Sequence, residues 1–249
     1  MRRWLPGTVG VVALLAVWET IGRTVFAGNR AVPPPTAIAR QFAADGLDFY
    51  LPNVATTLRE ASLGWLIGNV IAIALAVAFV QIPLVERALL QVALASYCLP
   101  VIAIGPVLAI LFSDDTPKVI LAALSVIFTT LIGTLVGLRD ADRTSLELIR
   151  AYGGGSWTQL WKVRLRACLP SMFAGLCIAA PAAMLGAIIG EYLGAESGLG
   201  VAMINSQQSF AVERTWGIAL VATALSGAAY GLTALVGGLL TPWAPRVSG

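Results

Sequence analysis

Six long apolar stretches constrain the fold of this chain more than any other feature. They run from about Leu5 to Phe26, Ala61 to Ile82, Leu89 to Phe112, Pro117 to Leu138, Ser171 to Leu193 and Trp216 to Leu240. A helix that crosses the hydrocarbon core of a bilayer needs about 20 mostly apolar residues. Charged residues make up only 12% of the chain, against roughly 25% in an average soluble domain. The sequence therefore predicts an all-α membrane protein with about six transmembrane helices in one domain, residues 1–249.

The residue types that are missing exclude several kinds of chemistry. The chain has no histidine, which removes Ser-His-Asp and Cys-His catalysis and the HExxH type of metal site. Its three cysteines, Cys98, Cys168 and Cys177, lie in or beside apolar runs without a CxxC spacing, so neither a disulfide framework nor a zinc site is predicted. We expect no catalytic residue, metal or cofactor in this chain, and the small net charge of +3 gives no reason to expect a nucleic-acid partner.

The positions of the basic residues predict the topology. Met1-Arg2-Arg3 opens like a signal peptide, but the early Pro6, the long apolar run and the lack of a small-x-small cleavage site favour an uncleaved first span. A cytoplasmic N-terminus places ten of the 16 Lys and Arg residues inside, as the positive-inside rule requires. Both termini are then cytoplasmic, with a cytoplasmic loop at about 139–170 and an outer loop at about 27–59. In the outer loop, three prolines should extend the chain and Thr36 should cap a short helix.

Small residues recur one helical turn apart in the predicted spans. The pairs are Gly64/Gly68, Gly133/Gly137, Gly186/Gly190, Gly190/Gly194 and Gly227/Gly231. Such pairs let helix backbones approach closely in lipid, so we expect them to pack helices together.

A few polar side chains lie within the spans and are candidates for lining a translocation path. Ionisable groups are costly in a membrane, which makes Glu191 the strongest candidate, although it lies near an outer helix end. Glu19 lies in the first span and is expected to be structural. The alternative for the polar candidates is hydrogen bonding between helices. The candidates are Asn69, Ser96, Tyr97, Thr129, Thr130 and Glu191.

One segment in the middle of the chain is basic and interrupted by glycines. It reads ELIRAYGGGSWTQLWKVRLRACLP over residues 147–170. Thr144-x-x-Glu147 and Ser156-x-x-Gln159 each have the form of a capping box, and Gly153–Gly155 lie between them, so we expect a helix, a glycine turn and a second helix. These helices could lie on anionic lipid, serve only the fold, or dock into a groove of a partner protein.

This segment resembles a family signature. Glu147 to Gly153 is similar to the E-A-A-x-x-x-G signature of permease subunits of binding-protein-dependent ABC importers, with Val163 and Leu165 in register further on. GEYLGAESGLG at 190–200 and the outer VPPPTAI resemble the nitrate/sulfonate/taurine branch, so the resemblance covers nearly the whole chain. The chain departs from the signature at Leu148 and Ile149, where the family has alanines, and at Arg166, where it has proline.

The resemblance implies a type I ABC importer permease in a bacterial plasma membrane. The 139–170 loop would dock on a cytoplasmic ATPase, which would bind ATP and Mg because this chain lacks a GxxxxGK[ST] phosphate loop. A second permease copy and an extracytoplasmic substrate-binding protein would be further partners, and Asp114, Asp115 and the 194–214 loop could meet the latter. The residues that the resemblance assigns to ATPase coupling are Glu147, Ala151, Tyr152, Gly153, Gly154, Gly155, Trp157 and Leu165.

We therefore expect the transmembrane subunit of an ATP-driven importer for a small solute of the sulfonate, nitrate or vitamin-precursor kind. The alternative is a secondary transporter, which would need inverted repeats and coupling-ion sites near the midplane of the membrane. An intramembrane enzyme would need a paired nucleophile and base or a set of metal ligands, and the sequence shows neither.

Overall fold

The computed structural model describes residues 5–26, 31–98 and 100–244. These residues form helices joined by short connections, without a strand among them, as the sequence predicted. The helices are α1 (Leu5–Thr24), α2 (Pro35–Gln81), α3 (Pro83–Cys98), α4 (Val101–Leu111), α5 (Thr116–Arg139), α6 (Arg143–Ala151), α7 (Ser156–Gln159), a π-helix (Leu160–Arg164), α8 (Leu165–Glu191), α9 (Leu199–Gln208) and α10 (Val212–Leu240).

Four helical segments among the described residues are long and apolar enough to cross a membrane. They are α2, α5, α10 and the continuous helix formed by α7, the π-helix and α8. The antiparallel pair α5 and α8 lies at the centre, with α2 packed on α5 and α10 packed on α8. One core cluster joins Phe79, Leu131, Leu138 and Leu160, each at most 1% exposed. The first predicted span forms α1, and the third predicted span forms α3 and α4.

Three of the five predicted glycine pairs bring helix backbones into close contact. A Cβ atom on Gly64 would lie 2.8 Å from the carbonyl oxygen of Val119 in α5. The pairs Gly133/Gly137 and Gly186/Gly190 allow an equally close approach between α5 and α8. Gly194 instead lies in a turn after α8, and no described residue of this chain comes close to Gly227 or Gly231, so these two pairs do not join helices within the described part of the chain.

The third predicted span is divided into two helices. α3 ends at Cys98 and α4 begins at Val101, with Pro100 in an extended conformation at the N-cap of α4. Proline at this position cannot continue the hydrogen-bond ladder of α3, and its fixed φ suits the start of a new helix.

The expected outer loop at 27–59 is helical over most of its length. α2 begins at Pro35, so the prediction of a loop is wrong for residues 35–59, and Thr36 lies inside the helix after the N-cap Pro34. Proline is tolerated in the first turn because its missing N–H has no helical partner there. Gly46 has φ 69° and ψ 174°, which interrupts the helical backbone and separates residues 35–45 from the spanning part of α2.

α1 lies at the edge of the bundle and is held by its C-terminal half. The Glu19 carboxylate accepts hydrogen bonds from the Thr36 backbone N–H at 3.1 Å and from the Thr36 hydroxyl at 2.7 Å. The Trp18 and Trp216 rings pack with their centroids 5.5 Å apart. Glu19 therefore has the structural role that the sequence predicted, at the N-terminus of α2.

Candidate functional site

α6 begins at a side-chain cap that the sequence interpretation missed. The Asp142 carboxylate accepts hydrogen bonds from the Ser145 backbone N–H at 2.8 Å and from the Ser145 hydroxyl at 2.7 Å. These bonds stabilise the charged carboxylate and hold the pKa of Asp142 below its usual value. The predicted capping box at Thr144 and Glu147 is therefore wrong, because the N-cap lies two residues earlier.

The turn after α6 needs glycine, as predicted. Gly153 has φ 80°, a left-handed conformation that other residues resist. The Gly154 N–H donates to the Ile149 carbonyl oxygen at 2.8 Å, and a Cβ atom on Gly154 would lie 2.9 Å from that same oxygen. The turn thus closes back on the last carbonyls of α6, as helix C-termini commonly do.

α7 is fixed to α6 by the side chain of Gln159, which was expected to complete a capping box with Ser156. The second predicted capping box is wrong, because Gly155 is the N-cap of α7 and makes no side-chain cap. Gln159 is buried, and its Nε2 donates to the Leu146 carbonyl oxygen at 3.0 Å. This bond crosses from one helix of the α6–α7 segment (residues 142–159) to the other and makes the segment one unit.

The α6–α7 segment is fixed to the bundle at the point where the helix widens. Leu160 starts the π-helix and is 1% exposed, in the core cluster with Phe79 and Leu138. The Leu165 N–H donates to the Leu160 carbonyl oxygen, a bond across five residues. Arg164 donates from Nη1 to the Leu138 carbonyl oxygen at 2.8 Å, at the C-terminal end of α5. These contacts join the segment to α5 and α8.

Large apolar side chains on the α6–α7 segment are exposed in the part of the chain that the structure describes. The exposed fraction is 58% for Leu148, 85% for Tyr152 and 61% for Trp157, and we call these three residues the exposed tip. Glu147, Ala151, Gly153 and Gly155 are also exposed in this segment, and Gly154 is half-buried. Leu165 differs from the other residues assigned by resemblance, because it packs against the core cluster.

A network of charges that includes the buried Glu60 and Lys118 lies at the opposite end of the bundle. Glu60 in α2 is 1% exposed, and its Oε1 lies 3.1 Å from Nζ of Lys118 in α5. The same Nζ lies 2.7 Å from Oδ1 of Asp115, just before α5. This hydrogen bond from Lys118 holds the pKa of Asp115 below its usual value. Arg59 is a more distant partner of Asp115, at 3.7 Å.

Glu191 belongs to this end and holds the start of α9. Its Oε1 accepts from the Thr57 hydroxyl at 2.6 Å, and its Oε2 accepts from the Gly200 N–H at 2.5 Å. The Thr57 hydroxyl oxygen in turn accepts from the Leu199 N–H at 2.9 Å. Asn53 Oδ1 accepts from the Gly198 N–H at 3.0 Å. The first turn of α9 is therefore capped by side chains of α2 and α8, which satisfy otherwise unpaired donors.

The sequence interpretation missed most of this network. It singled out Glu191 but not Asn53, Thr57, Glu60 or Lys118. A signal was available, because Asn53, Thr57 and Glu60 are spaced four and three residues apart, which places them on one face of a helix. The pattern was overlooked because residues 27–59 were expected to form an outer loop, in which helical spacing carries no meaning.

The other candidates for a translocation path have different surroundings. Asn69 and Thr130 are buried, and the Thr130 hydroxyl donates to Asn69 Oδ1 at 2.5 Å between α2 and α5. Thr129 lines an apolar groove of about 520 Å³ between α5 and α8, beside Gly133 and Gly175. The side chains of Ser96 and Tyr97 lie outside the described part of the structure.

Known proteins resemble the chain over most of its length. Residues 68–246 match the model of a family described as "Binding-protein-dependent transport system inner membrane component". A probable ABC transporter permease protein of Haemophilus influenzae is 28% identical over 225 residues, which cover 90% of this chain and 91% of that protein. The formylaminopyrimidine transport permease protein ThiX of Halalkalibacterium halodurans is 29% identical, with 79% and 78% covered. A putative aliphatic sulfonates transport permease protein, SsuC of Bacillus subtilis, is 26% identical, with 82% and 75% covered.

Proposed function

Because the chain belongs to the family of binding-protein-dependent transport system inner membrane components, we propose that it is the membrane-spanning subunit of an ATP-driven importer. It forms the translocation path with a second permease copy, which is most simply identical. The ATP and Mg bind to separate cytoplasmic ATPase subunits. A substrate-binding protein delivers the solute from outside. The subunit lies in a bacterial plasma membrane with both termini in the cytoplasm.

The exposed tip is the observation that carries this proposal. Leu148, Tyr152 and Trp157 present apolar and aromatic surface on a short, internally bonded segment beyond the membrane spans. Exposed Trp and Tyr side chains commonly provide much of the binding energy at protein interfaces. The tip therefore docks on the ATPase subunit, in the same position as the coupling signature that it resembles.

The attachment of this segment gives a route from the ATPase to the membrane spans. When ATP closes the ATPase subunits, the docked segment moves with them. The buried Leu160 and the bond from Arg164 to the Leu138 carbonyl oxygen transmit that movement to α5 and α8. At the far end, α8 carries Glu191 and through it the start of α9. Rocking of α8 therefore changes the outer end of the path.

The substrate is a small solute of the sulfonate, nitrate or vitamin-precursor kind. The names of the relatives support this class, since they include transporters of formylaminopyrimidine and of aliphatic sulfonates. The buried Lys118 has two carboxylate partners, Glu60 and Asp115, so its charge is compensated within the chain. The binding protein therefore selects the solute, and the permease passes it on.

Co-purification of an ATPase tests the proposal directly. The tagged chain, expressed in its native host and purified in detergent, should bring a P-loop ATPase with it. Tyr152→Ala with Trp157→Ala should weaken that association by at least about tenfold, because large aromatic anchors are lost. Gly153→Glu should have the same effect through its left-handed backbone. Phe210→Ala is the matched control, since Phe210 is 88% exposed at the opposite end.

The opposite result has a clear meaning. A chain that purifies alone and transports solute into liposomes without ATP is a secondary transporter, and the importer proposal is then wrong. Equal loss of the ATPase in the tip variants and in the Phe210 control would show that the tip is not the docking site.

A further inference from the structure

The base of α8 carries two cationic side chains that form no ion pair within the described part of the chain. Lys162 lies in the π-helix and Arg166 in the first turn of α8, and both are exposed. The ion pairs of the described residues involve other cations. The sequence has no Asp or Glu from Ser156 to Gly190 or after Glu213. The acidic side chain of α8, Glu191, lies at the opposite end of that helix and bonds Thr57 and Gly200, so it does not neutralise them.

An aromatic ring from another helix lies beside one of these cations. Trp243, just beyond the end of α10, has its ring centroid 5.2 Å from Cζ of Arg166. Trp243 is 49% exposed, and Trp161, next to Lys162, is 68% exposed. We call Trp161, Lys162, Arg166 and Trp243 the basal patch. Trp side chains are enriched at the level of lipid headgroups, where one side of the ring is apolar and the other is wet.

The charges of the basal patch complement an anionic headgroup. A guanidinium that lies over a ring uses its face for that contact and keeps the N–H donors at its edge for an acceptor. Arg edges bind phosphate oxygens in a bidentate manner, and Lys adds a compact second charge. Lys162 precedes Arg166 by about one helical turn, so both can approach one phosphate. We propose that the basal patch binds the headgroup phosphate of an anionic phospholipid.

The position of the patch favours lipid over a protein partner. α8 and α10 are both membrane spans, and the contact between Arg166 and Trp243 joins the first turn of one to the end of the other. The patch therefore lies at the boundary of the membrane. The exposed tip, by contrast, lies on α6, the glycine turn and α7, which precede the span. The positive-inside rule explains cations at this boundary, but it does not explain the ring placed against one of them.

Lipid titration of the purified protein tests this proposal. The full chain, with any subunits that co-purify, would be titrated in detergent with phosphatidylglycerol, phosphatidylcholine or inorganic phosphate. Thermal unfolding would follow binding, and native mass spectrometry would count bound lipids. We expect phosphatidylglycerol to raise the unfolding temperature, and the other two probes to leave it unchanged. An equal effect of inorganic phosphate would overturn the assignment to a lipid.

Matched charge variants locate the site. Lys162→Gln with Arg166→Gln should weaken the apparent affinity for phosphatidylglycerol by about fivefold or more and remove one retained lipid, since each basic residue near an anionic surface contributes measurably. Arg87→Gln with Arg143→Gln removes the same charge from exposed positions outside the patch and should keep both. Equal losses in the two double variants would mean diffuse attraction, and the proposal would be wrong.

A third variant tests the aromatic ring of the basal patch without changing any charge. Trp243→Leu keeps every charge but removes the ring against Arg166, and we expect it to weaken binding of phosphatidylglycerol as well. Unchanged binding in Trp243→Leu would contradict the proposal. So would loss of the co-purifying ATPase with unchanged lipid binding in the Lys162 and Arg166 variant, because the surface would then belong to a protein partner.

Discussion

Lys118 shows at the level of single residues how the charge network constrains the chain. Its side chain is 8% exposed and bridges two carboxylates on different segments. Removing one member of a buried ion pair leaves the other charge uncompensated, which costs about 3–5 kcal/mol. Replacing both members by neutral groups costs much less. The stability of the chain therefore depends on the two charges compensating each other more than on the energy of their attraction.

We predict that Lys118→Met lowers the free energy of unfolding by about 3–5 kcal/mol, and that Lys118→Met with Glu60→Gln recovers most of this loss. Thermal unfolding of the purified variants in detergent would measure both changes. Additive losses in the double variant would contradict a direct coupling between the two side chains. The exposed pair of Arg139 and Glu86 is the control, since surface ion pairs contribute about 0–1 kcal/mol.

α6 depends on Asp142 at its N-terminus. We predict that Asp142→Ala frays α6 and weakens association with the ATPase, whereas Asp142→Asn keeps both, because Asn is an equally good N-cap. Circular dichroism and co-purification would measure the two effects. The pKa of Asp142 lies below its usual value in the folded chain. Its contribution is therefore present above the unfolded pKa and is lost as the pH falls through the folded pKa. Equal behaviour of the Ala and Asn variants would rule out the cap.

α2 depends on the backbone of one glycine. At Gly46, φ is 69° and ψ is 174°, a combination that is nearly restricted to glycine. We predict that Gly46→Ala destabilises the protein by about 1–3 kcal/mol, measured as a lower unfolding temperature. Gly231→Ala is the control, since Gly231 lies inside α10 with open space around it and should gain about 0.5–1 kcal/mol. A neutral Gly46→Ala would contradict the kink.

The sequence predicted helices well where periodicity and length agree. α5, α8 and α10 follow the predicted spans, and the glycine turn at Gly153 was also predicted correctly. The start of α2 was predicted two residues late, at Thr36 rather than at the N-cap Pro34, and the continuation of this helix into the second span was missed. The caps of α9 could not be predicted, because Thr57 and Glu191 are far apart in sequence and meet only through the packing of α2 on α8.

At the scale of the molecule, the described residues form a central bundle with α1 at its edge. The all-α fold of a type I ABC importer permease was predicted and is confirmed by the family match. α1 lies outside the central packing of α2, α5, α8 and α10, and its residues Val9 to Val17 are exposed. Its contacts with the rest of the chain are concentrated near Trp18 and Glu19. The bundle therefore does not depend on α1 for its core.

We predict that a chain lacking residues 1–30 still folds and still co-purifies with the proposed ATPase, because the contacts that attach the exposed tip come from α2, α5 and α8. Size-exclusion chromatography in detergent and co-purification would measure this. Glu19→Ala in the full chain should expose α1 to proteolysis, since the hydrogen bonds to Thr36 are lost. Aggregation of the shortened chain, rescued by co-expressed residues 1–30, would contradict this view of α1.

The π-helix at Leu160–Arg164 sets the direction in which the tip points. A helix turns by about 100° for each residue, so one residue more or less between the tip and the bundle rotates the tip to another side. A wider turn is equivalent to one added residue that the helix absorbs without breaking. The orientation of the tip thus depends on the number of residues between the tip and the bundle, and we predict that deleting Val163 turns an unchanged surface away from the ATPase that we propose as its partner. A single-codon deletion could uncouple this protein while leaving every contacting side chain intact.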